Sequence, residues 1–153
     1  MSRTAHLRAN KRRARKAADP MAMYKLLARV RPFDEDEAAE VATPTRIAFE
    51  RLRTGAGTQD DFDHLATSAN VCMIRAESIH QDCVQVAKAM QQALVDCKTR
   101  YVRIARFGFT GPELAAIAEG LDLYDQIVAL STPEQLTTAV RKQDARIAQG
   151  QTI

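Results

Sequence analysis

Tryptophan is absent from the 153 residues, and the remaining aromatics are five phenylalanines and three tyrosines. Glycine and proline are scarce, at 6 and 5, so architectures that turn every few residues have too few turn formers. Cysteine occurs three times, as Cys72, Cys83 and Cys97, an odd number with no close pair. A disulfide framework is therefore not expected, and buried thiols in a reducing cytoplasm fit better. No apolar run approaches the length of a membrane span, and the N-terminal stretch lacks the apolar core of a secretory signal. Acid is missing from Met1 to Ala18, where seven cations stand: Arg3, Arg8, Lys11, Arg12, Arg13, Arg15 and Lys16. The remaining residues carry 15 cations against 19 acids, so the net charge of +3 belongs to the N-terminal arm. An acidic body is a poor nucleic-acid surface by itself.

What is present favours helix. Alanine, leucine, glutamine and arginine dominate the middle of the chain. Residues 1–20 read as a flexible basic arm, and 21–150 as one helical domain beginning after Asp19-Pro20. Met23, Leu26, Leu27 and Val30 recur at helical spacing before Pro32. Asp34 to Glu37 supplies four acids for a helix N-terminus. Thr43-Pro44 reads as a cap and first-turn proline that starts or kinks the next segment, which stops at Gly55-Ala56-Gly57. Thr58 with Asp61 makes a capping box. From Phe62 to Leu94 one apolar stripe follows, carried by one long helix or by two antiparallel helices broken between Glu77 and Gln81. Thr110-Gly111-Pro112-Glu113 and Ser131-Thr132-Pro133-Glu134 open two more helices. The first has Leu114, Ile117, Leu121, Tyr124 and Val128 on one face, widened by Leu123, Ile127 and Leu130, and should be central. The second has Leu136, Val140 and Ile147. The stretch from Tyr101 to Phe109 reads as helix or irregular linker, since a lone strand has no partner. The expected fold is an all-α bundle of four to six helices with no sheet.

The arm is the strongest binding signal, because clustered cations attract phosphate without reading sequence. A weaker patch interleaves rings and cations at Tyr101, Arg103, Arg106 and Phe107, as single-strand binders do. Leu65 to Val71 has some features of a helix-turn-helix, with its second helix reaching Ile79. Asn70 stands where glycine is usual, Asp60, Asp61 and Asp63 would repel phosphate, and Arg75 is the sole cation of the reading helix. Cys72, Cys83, His80 and Asp82 make only half a metal site, so no metal is expected. His64 could act as a base but lacks an identifiable partner. Thr54 to Thr58 is glycine-rich but lacks a phosphate loop's lysine. Neither catalysis nor a cofactor is expected. The expected partners are a protein, with nucleic acid through the arm as the alternative; a homo-oligomer is compatible, and a membrane is not expected.

The order of these motifs resembles small helical proteins of unassigned function encoded by tailed bacteriophages and prophages. Gly55, Gly57, Asp60, Asp61, Asp63, Leu65, Asn70 and Arg75 carry the likeness, followed by Ala93-Leu94, Arg106-Phe107, Glu113 and Leu123 to Asp125. It spans about residues 45–140 and consists of common residues at matching spacings. It implies a helical fold and a mobile-element context, and no mechanism.

Overall fold

A computed structural model describes residues 21–151. Among them lie six helices and no strand: α1 (Ala22–Val30), α2 (Glu35–Thr54), α3 (Gln59–Ala76), α4 (Gln81–Ile104), α5 (Gly111–Leu130) and α6 (Pro133–Ala148). The expected all-helical bundle is the fold. The expected arm, residues 1–20, lies outside the described residues.

Helix starts follow the capping chemistry. Asp34 accepts the Glu37 amide at 2.9 Å while Glu37 accepts the Asp34 amide at 3.0 Å, which satisfies two otherwise orphaned N–H groups. Thr58 and Asp61 do the same for α3, with the Thr58 amide donating to Asp61 at 2.9 Å. Glu113 accepts from the Thr110 amide at 2.8 Å to open α5, and Thr132 pairs with Gln135 to open α6. Gly55 closes α2 with φ of 82°, the left-handed region that glycine enters without a Cβ clash.

Of the two expectations for Pro44, a helix start is corrected: α2 runs through it. Pro44 is exposed, and so is Glu40 one turn back, whose carbonyl loses its amide partner. The stripe from Phe62 to Leu94 resolves into two helices. α3 ends at Ala76, and His80 caps α4 by accepting the Asp82 amide at 3.2 Å through Nδ1. The second helix of a helix-turn-helix is therefore not formed: Asn70, placed at its turn, lies buried inside α3 and accepts from Gln91 of α4 at 2.7 Å. Arg75, its only cation, donates to Ser131 at 3.2 Å and joins α3 to the α5–α6 turn.

α3 packs against α2, α4, α5 and α6, and shares the centre with α5, which packs against α2, α3 and α4. One apolar layer joins Phe49, Leu52, Phe62, Leu65, Met90, Leu94, Ile117 and Leu121. A second joins Val71, Ile74, Ala87, Tyr124, Ile127, Val128 and Leu136. Two expected core faces are corrected. On α6 the buried residues are Leu136, Ala139 and Gln143, whereas Val140 and Ile147 are exposed. On α5, Leu130 is 74% exposed because the helix ends there. α1 stands apart and packs mainly on α6.

Candidate interaction surface

α1 contains Lys25 and Arg29 and no acid. A nine-residue helix of this kind is marginal alone and needs a surface to hold it. α6 supplies part of one, yet Met23, Leu26, Leu27 and Val30 remain 65%, 54%, 53% and 48% exposed. Its C-terminal end is tied down by polar contacts. Arg31 grips Glu37 with two nitrogens at 2.9 and 2.6 Å, Arg29 approaches Glu134 at 3.9 Å, and the Phe33 amide donates to the Ser131 carbonyl at 3.2 Å. The grip holds the Glu37 carboxyl below its ordinary range, first through the Arg31 hydrogen bond and then through the Asp34 amide. α1 is thus a positioned helix with an incompletely covered apolar face.

The seven arm cations, Arg3, Arg8, Lys11, Arg12, Arg13, Arg15 and Lys16, lie outside the described residues. The secondary patch does not form as expected. Tyr101 stacks on Phe107 at 4.1 Å, and Phe107 stacks on Phe62 at 5.1 Å, so Phe107 is buried in the core. Arg103 and Arg106 point outward. The rings are occupied with each other, and bases would find no free face of Phe107.

The thiols behave as core atoms. Burial, with a smaller effect of nearby Cys83, pushes the Cys72 thiol up to about 12. Burial likewise raises Cys97. Among the described residues no group of histidines, cysteines and carboxylates is placed to hold a metal.

His64 does acquire partners, which sequence spacing had not revealed. Its Nε2 lies 3.3 Å from the Thr45 hydroxyl, which lies 2.8 Å from the Ser68 hydroxyl. Tyr124 of α5 lies near both hydroxyls; burial raises its phenol above the ordinary 10.0, and Ser68 and Thr45 act against that rise. Beside this seam Arg46 donates to Asp125 at 3.0 and 2.6 Å and to Asp122 at 2.6 Å. The second oxygen of Asp125 is buried without a partner. The seam joins α2, α3 and α5, with Ser68 and Thr45 sealed from solvent. Among the described residues no carboxylate hydrogen-bonds to His64, so the histidine lacks the orienting third group of a nucleophile–base pair. A groove of about 140 Å³ between α3 and α6 is lined by Arg75, Ser78, Thr138 and Lys142, but Glu134 shares it and Arg75 is committed to Ser131.

No helix among the described residues is long and apolar enough to cross a membrane. No known protein family, curated protein or solved structure matches the chain.

Proposed function

We propose that this chain is a non-enzymatic interaction protein of the phage or mobile-element kind, which acts in the bacterial cytoplasm by binding a host or phage protein. The observation that carries the reading is the apolar face of α1, with four large side chains about half exposed on a positioned helix. Contiguous exposed apolar surface of this kind marks contact sites more often than it serves the fold. The mobile-element context comes from the motif resemblance. The cytoplasmic setting fits three free cysteines.

The test is capture from nuclease-treated bacterial lysate by the full chain and by a Leu26→Asp, Leu27→Asp variant. A protein held by the native chain and lost by the variant is the expected result. Equal recovery on both chains, or none on either, overturns it.

A second reading has its own observation. Seven cations and no acid between Met1 and Ala18 fit a nucleic-acid backbone. Partners released by nuclease, unaffected by the Leu26 and Leu27 substitutions, would favour it.

A further inference from the structure

We propose that α1 is a ligand helix for a groove, and that the groove is apolar with a rim of carboxylates. The proposal rests on the reading that α1 meets a protein, and it names the chemistry of that protein's surface.

Met23, Leu26, Leu27 and Val30 stand at i, i+3, i+4 and i+7, the anchor spacing of helices laid into grooves. On a helix of 3.6 residues per turn they fall within an arc of about 100°. All four keep 48% or more of their surface exposed although α1 already rests on α6. Arg29, which lies against Glu134, falls about 60° beyond the Leu26 edge of that arc, and Lys25 about 100° beyond it. No acid occurs between Pro20 and Phe33, and residues 1–33 carry ten cations and one acid. Residues 34–153 carry twelve cations and eighteen acids. The apolar face and the positive charge thus share one short segment of an otherwise acidic chain.

Four occupants can be weighed against this arrangement. Nucleic acid would use the cations and leave the four apolar side chains in water. A second copy on the same face would bring two strongly positive segments together. Four anchors are also few beside the roughly 20–30 residues a side of a stable interface. An anionic bilayer would use both features, but it is a plane and meets the neighbours of α1 as well. Glu134 lies against Arg29, and Asp34, Glu35, Asp36 and Glu37 follow directly after Phe33. Glu35 and Asp36 would then lie near the headgroups, at a cost of order 1 kcal/mol for each charge near the surface. A protein groove can be shaped to receive α1 alone. It accepts the four anchors inside, and carboxylates at its rim complement the excess of cations in residues 1–33 and give orientation.

The test titrates the labelled full chain with four probes. Calcium-loaded calmodulin offers an open, acidic, methionine-lined groove; calmodulin in chelator offers similar acidity with the groove closed. Vesicles of phosphatidylcholine with phosphatidylserine offer the bilayer, and a short DNA duplex offers phosphate. Binding to the calcium-loaded form over the chelated form is expected. Leu26→Asp with Leu27→Asp should weaken it about tenfold or more. Arg12→Glu with Arg13→Glu should weaken it with the anchors and the Arg29–Glu134 contact intact. Circular dichroism should show the helical fold retained in both variants, since Leu26 and Leu27 are largely exposed and Arg12 and Arg13 precede the described helices in the chain.

Equal binding of both calmodulin forms overturns the proposal in favour of charge alone. Vesicle binding that depends on Leu26 and Leu27 overturns it in favour of lipid. Absence of calmodulin binding overturns it outright. If calmodulin fails while lysate capture still depends on Leu26 and Leu27, the groove chemistry is wrong and the protein reading stands. If both fail, that reading falls too.

Discussion

Ala105 closes α4 with φ of 53°, the one non-glycine residue at positive φ among those described. A Cβ in this region crowds the following carbonyl and costs roughly 1–2 kcal/mol. Ala105 is exposed and makes no core contact that glycine would forfeit. Ala105→Gly should therefore raise stability by about 1 kcal/mol, read as a higher urea midpoint at unchanged slope. Glu113 carries a pH dependence. Burial opposes its charge, but hydrogen bonds from Arg100 and the Thr110 amide prevail and hold its carboxyl below the ordinary 4.5. A lowered folded pKa means that the stabilisation is present in full above 4.5 and is lost as pH falls through the folded value. Melting temperature should fall on acidification below that point. Glu113→Gln should be less stable near neutrality and show a flatter acid limb. A parallel decline in both proteins would remove Glu113 from the account.

At the scale of elements, α4 and α5 meet where Gly120 faces Met90. A Cβ on Gly120 would lie 2.6 Å from the Met90 Cβ and Sδ, and Met90 is fully buried. Gly120→Ala gains about 1 kcal/mol of helix propensity but forces two helices apart, a strain of roughly 1–3 kcal/mol. A net loss of stability is expected. Met90→Ala should cost less in the Gly120→Ala background than in the native chain, and additive losses would contradict the contact. The sequence was legible wherever a local rule decided the outcome. Thr58 with Asp61 and Gly55 acted as spelled, and Met23, Leu26, Leu27 and Val30 lie on one helix as their spacing required. It misled where the decisive neighbour lay far along the chain. Pro44 reads as a boundary, yet its face of α2 happens to meet water. Asn70 reads as a turn residue until Gln91 supplies a buried partner. Val140 and Ile147 look like core on α6, but small Ala139 and polar Gln143 occupy the packed side. His64 gave no hint of Thr45, nineteen positions away.

The whole molecule divides by charge: seven cations in the first 18 residues, and fewer cations than acids in the remainder. Removing residues 1–18 should leave the melting temperature and helical dichroism unchanged, because the described helices begin at Ala22. Any affinity for duplex should largely disappear, together with a salt slope of about −0.9 for each phosphate contacted. An unchanged slope would take the arm out of nucleic-acid binding; unfolding would mean that it packs on the bundle. The hydroxyl seam of Thr45, Ser68 and Tyr124 bears on the same bundle in another way. Ala48, Ala66, Ala69 and Ala93 are buried in the core beside larger side chains, and alanines alone fix the axial position of a helix less tightly than those do. A one-turn axial slip of α2, about 5.4 Å, would carry the buried Thr45 hydroxyl away from Ser68 and His64, whereas Ser68 keeps the His64 carbonyl. The seam therefore works as a register key: beside the apolar packing, it penalises other axial alignments of α2 against α3.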